Sequence, residues 1–157
     1  MNIRQHWVPC KASYPMFILV PAFLEALGGF GGMYASRLGT KLHLGTIEAK
    51  AVPNPLAVLD STLVVLLAVV LLPVVAGCAT GLAALTHSSA PALSNVVLVT
   101  VSAGLIATAL SLAVGYYAAF ATVQWGLDPD DHVLPIVTAT MDLLGVICLA
   151  AAIPLLS

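Results

Sequence analysis

Between Ser61 and Leu127 the chain carries no Asp, Glu, Lys or Arg. A soluble domain is about a quarter charged. This chain is 8% charged and 61% hydrophobic over its 157 residues. A charge-free run of that length requires an apolar solvent. At about 20 residues per crossing, it holds two membrane helices and a turn. The turn falls at Thr86–Asn95, THSSAPALSN, which is rich in Ser and Pro. The fold class that follows is all-α, an integral membrane helical bundle in the cell membrane, with lipid as its surroundings.

Two further apolar stretches flank the run. The expected spans are about 15–44, 61–85, 96–124 and 132–154, after a short lead over 1–14, in one membrane domain. Trp7 and Tyr14 in the lead are interface-type aromatics. The first span contains Pro21, Glu25 and the cluster Gly28, Gly29, Gly31 and Gly32. Proline removes a helix hydrogen bond and glycine permits bending, so a break or kink is expected near the cluster. Pro53-Asn54-Pro55 interrupts the polar connection Thr46–Asp60. Before the last span, Asp128 suits an N-cap, Pro129 the first helical residue, and Asp130 and Asp131 the first turn.

Small residues recur every fourth position in three spans: Gly28, Gly32 and Ser36; Gly77 and Gly81; and Ala103, Ala107, Ser111, Gly115 and Ala119. In lipid such stripes let helices approach closely. Arg37, Lys41 and Lys50 all lie in or beside the connection after the first span, which places that connection in the cytoplasm. The 86–95 turn is then outside and the DPDD loop inside. Arg4 and Lys11 sit awkwardly on the outside, a conflict that an additional span before residue 1 would relieve.

Several function classes are disfavoured. A net charge of −2 offers no basic footprint for nucleic acid. Cys10, Cys78 and Cys148 form neither a CxxC motif nor a disulfide framework. His43, His87 and His132 lack metal-ligand spacing. Ser36 is not in a GxSxG, and no P-loop or dinucleotide fingerprint occurs, so neither an enzyme nor a bound cofactor is expected.

The residues that stand out are acids at membrane depth. Asp142 lies near the middle of the last span, where a charge costs a few kcal/mol on insertion scales. Pro135, Thr138, Ala139, Gly145, Val146 and Leu149 share its helix face. The part before Asp142 is therefore narrow and hydroxylic. Hard divalent cations want oxygen ligands, and magnesium keeps several waters while bound through one or two carboxylates. Asp142 and Thr138 are candidate ligands, and Asp142 from two chains could hold a hydrated ion. Glu25, one turn before the glycine cluster, is a second candidate oxygen site or a proton-coupling group. The blander alternatives are an Asp142 bonded to a hydroxyl or to Arg37, and a Glu25 paired with Arg37 or Lys41. Arg37 and Lys41 read either as snorkelling anchors or as part of a cytoplasmic mouth, with the Asp128 cluster a possible cation attractor there.

Two motifs together resemble a known family. VPAFLEALGGFGGMYASRLGTKLHLG, Val20–Gly45, and GLDPDDHVLPIVTATMDLLG, Gly126–Gly145, are similar to the membrane domain of MgtE-type divalent-cation transporters. They are most like the single-domain archaeal members and the animal solute-carrier relatives. The resemblance implies a five-helix unit, its first helix missing or truncated here, that dimerises with a copy or a related half. It implies an ion path at the dimer interface, along the first and last visible helices, with magnesium as the transported substrate. Asp142 would then be the ion-binding acid. Gly28, Gly29, Gly32, Pro135, Ala139 and Gly145 would line the pore. This chain departs from the family pattern at Gly29, where relatives have Asn, and at Glu25, where they have a small residue. Both departures bear on cation choice. The alternatives are a non-transporting membrane scaffold or accessory subunit, and a proton-coupled carrier using Glu25 and Asp142.

Overall fold

The computed structural model describes residues 9–48, 50–85 and 92–152. Four helices follow one another: α1, Pro9–His43; α2, Pro55–Leu85; α3, Leu93–Gln124; and α4, Pro129–Ala152. The described residues contain no strand. Most of the expected lead, the 86–91 part of the expected turn and the end of the expected fourth span lie outside the described residues. α2, α3 and Asp131–Ala152 of α4 are each long and apolar enough to cross a membrane.

The arrangement is a four-helix bundle with a short diagonal. α1 and α3 each touch every other helix, whereas α2 and α4 do not touch each other. α2 and α4 therefore flank the central pair on opposite sides. This placement matches the burial patterns. α3, the most enclosed helix, buries residues around much of its circumference, from Val96 and Val99 through Ala103, Ala107, Ser111 and Gly115 to Ala119. α2 buries one stripe at Ala57, Asp60, Val64, Ala68, Leu72 and Ala76. α4 buries Val133, Val137, Met141, Gly145 and Leu149, one residue per turn.

α1 is helical without interruption through Pro21 and the glycine cluster, so the expected break does not occur. Two physical reasons account for this. Phe23, Leu27, Phe30, Tyr34 and Leu38 form a continuous buried stripe along one side of the helix, on both sides of the cluster. In lipid, moreover, an opened turn would leave carbonyls with no water to bond. Gly31 is where the cluster permits close packing. A Cβ there would stand 2.7 Å from Val137 Cγ1 and 3.0 Å from Met141 Cγ. At Gly77 and Gly81 a Cβ would meet nothing within 4 Å, so that GxxxG pair makes no close approach to any of the described residues.

The ends of the helices explain most of the motif residues. α1 and α3 close with the same device. Thr46 N–H donates to Lys41 O (3.0 Å) and Gly45 N–H to Leu42 O (3.1 Å). Leu127 N–H donates to Thr122 O (2.9 Å) and Gly126 N–H to Val123 O (3.1 Å). These are Schellman caps, and their left-handed residues, Gly45 at φ 66° and Gly126 at φ 69°, are glycine because a Cβ is disfavoured there. α2 starts at Pro55, earlier than the expected 61, because Pro53-Asn54-Pro55 is a start signal. The Asn54 side chain accepts from Leu56 N–H (3.1 Å), and Pro55 takes the first helical position. The connection between α1 and α2 is held down by Tyr116 of α3. Its hydroxyl lies 2.8 Å from Lys50 O and 3.1 Å from Val52 O.

Gly31→Val should lower stability by about 1–3 kcal/mol through overpacking of the α1–α4 seam. Gly77→Ala should leave it unchanged or slightly raised, as read by unfolding in detergent. Tyr116→Phe should free the 50–53 connection at a cost of about 1 kcal/mol. Faster trypsin cleavage after Lys50 is the expected readout.

Candidate cation site

The face of α1 that carries Glu25, Gly28 and Gly29 meets the face of α4 that carries Thr138 and Asp142. Between them runs an open groove of about 320 Å³, lined by Pro21, Leu24, Glu25, Gly28, Gly29, Thr138 and Asp142. Glu25 and Asp142 are both exposed on the surface of the single chain. Neither makes a hydrogen bond or an ion pair with any described residue. Asp142 lies halfway along the span-forming part of α4. Two carboxylates therefore open into one groove, Asp142 from the middle of a stretch long and apolar enough to cross a membrane.

The glycines make room in that groove. At Gly28 and Gly29 a Cβ would meet nothing within 4 Å, so the space beside the α1 backbone is empty of the described side chains. Thr138 donates its hydroxyl proton back to its own helix, to Leu134 O (3.0 Å) and Pro135 O (3.1 Å). Its oxygen lone pairs remain as acceptors. No cluster of three or more His, Cys, Asp or Glu forms among the described residues. One chain thus offers two carboxylates and a hydroxyl. That is too few ligands to strip a cation of its waters, and enough to hold a hydrated one.

The other sequence candidates fall around this groove rather than in it. Pro135 and Ala139 are exposed on α4 beside it. Gly32 is half-buried, with the position of a Cβ 3.4 Å from Leu134. Gly145 is buried in the packed seam, where a Cβ would stand 2.8 Å from both Leu24 and Leu27. Its role within the chain is close approach of α4 to α1.

Arg37 and Lys41 turn away from the groove. They lie about 120° and 160° round α1 from Glu25 at 3.6 residues per turn. Both grip Asp60 on α2. Arg37 Nε and Nη2 donate to Asp60 Oδ1 at 2.9 and 2.7 Å, and Lys41 Nζ to Oδ2 at 2.5 Å. The Asp60 side chain is 0% exposed, while Arg37 keeps 45% and Lys41 23% of theirs in contact with the surroundings. The cations thus bury their stems and one flank while leaving an edge out. At the same end, His43 Nε2 of α1 lies 3.3 Å from Asp128 Oδ1 just before α4. Asp128 thus sits where the ends of the two groove-forming helices meet.

Asp60 is the one charged residue of this region that reading the sequence did not single out. It was placed at the end of a polar connection. The signal was available in Pro53-Asn54-Pro55: once Asn54 is read as a helix cap, Asp60 falls inside the helix, with apolar neighbours on either side along α2.

Three helices long and apolar enough to cross a membrane make this a multi-pass membrane protein, and two acids without a partner among the described residues open into one of its grooves. Residues 20–152 match the MgtE family, described as a divalent cation transporter, and the chain belongs to that family. No curated protein and no solved structure matches the chain significantly.

Asp60→Asn should destabilise the bundle by about 1–3 kcal/mol, because it leaves Arg37 and Lys41 without their buried partner. His43→Gln, which removes an exposed pair, should cost no more than about 1 kcal/mol. Unfolding midpoints in detergent distinguish the two.

Proposed function

We propose that the α1–α4 groove is one wall of a path for hydrated Mg2+, and that a second copy or a related half closes it. One observation carries this reading: Glu25 and Asp142, each set in an apolar stretch, open into a single groove with no partner among the described residues. A carboxylate facing lipid costs at least a few kcal/mol. A polar cavity formed against a second protein surface removes that cost. With Asp142 contributed from both sides, two carboxylates face one axis and attract a divalent ion electrostatically. The ion keeps most of its waters, in line with the small number of protein ligands and the reluctance of magnesium to dehydrate. Glu25, Thr138 and the carbonyls beside Gly28 and Gly29 supply further oxygens to those waters. The MgtE membership of the chain supports the class of substrate, and the oxygen-only chemistry of the groove supports a hard cation within that class.

Two features give this path its own character. Gly29 places bare backbone where a polar side chain would narrow the groove. Glu25 adds negative charge, which favours higher valence over monovalent ions. The groove then selects by charge and hydration rather than by a tight dehydrated fit.

Reconstituted into liposomes with a magnesium-sensitive dye inside, the wild-type protein should take up Mg2+. Asp142→Asn should reduce uptake at least about a hundredfold with the oligomer intact, and Glu25→Gln should reduce it by about tenfold, as expected for loss of a charge close to a divalent ion. Equal uptake by Asp142→Asn would remove that residue from the path. Loss of the oligomer in the same variant would instead assign Asp142 to assembly. Uptake driven by an imposed pH gradient would favour a proton-coupled carrier.

A further inference from the structure

The groove lies between α1 and α4, yet the two cations nearest its inner end, Arg37 and Lys41, belong to α1 itself. Positive charge beside a cation path is a barrier, and it acts over distances that low-dielectric surroundings lengthen. Arg37 and Lys41 stand about 12 and 18 Å along α1 beyond Gly29, the last α1 residue of the groove, at 1.5 Å per residue, so their charges bear on the groove through space rather than by contact. Asp60 fixes both side chains on the α2 side of the helix. Its two carboxylate oxygens take one cation each, Oδ1 from Arg37 and Oδ2 from Lys41. Asp60 belongs to α2, and α2 and α4 do not touch. The clasp is therefore on the side of α1 away from α4 and the groove.

We infer that Asp60 is an electrostatic positioning residue for transport. It keeps Arg37 and Lys41 on the far side of α1 and neutralises one of their two charges, so that the groove-facing side of α1 stays free of positive charge. The inference rests on the groove being the path. It concerns a residue that contacts neither the groove nor the ion, and it assigns the α1–α2 clasp a task beyond holding two helices together. A purely structural clasp would set stability. A positioning clasp also sets how readily the path fills with a cation.

The test separates where the charge sits from how much charge there is. Asp60→Asn combined with Lys41→Gln leaves a net charge of +1 in the cluster, as in wild type, but Arg37 is no longer held. Adding Arg37→Gln removes the remaining charge. In proteoliposome Mg2+ uptake at low ionic strength, the double variant should show a half-saturating concentration at least about fivefold above wild type. The triple variant should return to within about twofold of wild type. Salt at about 0.5 M should shrink the difference between double and triple, because exposed charges are screened. Lys41→Gln alone, which keeps the Arg37–Asp60 pair, should leave the half-saturating concentration unchanged or lower it. Equal half-saturation in the double and triple variants, or a wild-type value in the double, overturns the inference. Wild-type uptake that Asp142→Asn does not alter sinks the groove reading, and the inference with it. Uptake that is sensitive to Asp142→Asn but indifferent to the double variant sinks the inference alone.

Discussion

In a bilayer a polar group is either bonded inside the protein or it needs something from outside, because lipid offers no hydrogen bonds. That constraint orders this structure. It sorts the charged residues into two kinds, those answered within the chain and those left open. Asp60 is answered twice, by Arg37 and by Lys41, and is fully enclosed. Glu25 and Asp142 are not answered, and they share a groove. The first kind fixes how α1 sits on α2. The second kind marks the surface on which the proposed path is built.

The same constraint explains the helices. α1 stays helical through Pro21 and the four-glycine cluster because an opened turn would have no substitute for its lost bonds. Its buried stripe from Phe23 to Leu38 then packs as one rod against α3 and its neighbours. The glycines accordingly serve different ends. Gly31 and Gly145 let α1 and α4 approach, Gly45 and Gly126 cap helices in the left-handed conformation, and Gly28 and Gly29 leave space in the groove. One residue type answers three physical demands, and only its surroundings tell them apart.

Helices α1 and α4 are pressed together by Gly31, Val137, Met141 and Gly145, and their ends meet again at His43 and Asp128. The groove is the part of this seam where small residues face outward rather than inward. The groove runs along the outer edge of the α1–α4 pair, while α3 touches all other helices and α2 and α4 stand apart.

The membrane class and the number of described helices were legible in the sequence. A long charge-free run leaves no other fold class, and hydrophobic length counts crossings directly. Asp142 and Glu25 were legible for a related reason, since an acid inside an apolar span is costly wherever the span sits. Asn54 as a cap was local chemistry too, present in the residues but overlooked. What no local pattern could decide was which way each side chain points once the helices meet. Arg37 and Lys41 lie three and four turns along the same helix from Glu25, out of its reach once α1 is continuous, but the sequence does not say which acid of another helix they meet. The partner was decided by the rotation of α1 in the bundle, which its buried Phe23-to-Leu38 stripe sets. Likewise, every glycine in α1 has the same sequence signature, and only the approach of Val137 and Met141 separates Gly31 from Gly28 and Gly29. Composition and spacing determined that this chain lives in a membrane and carries acids there. Tertiary packing decided which acid is enclosed and which open into a groove, because pairing depends on helix rotation and neighbours, and neither is a property of any single segment.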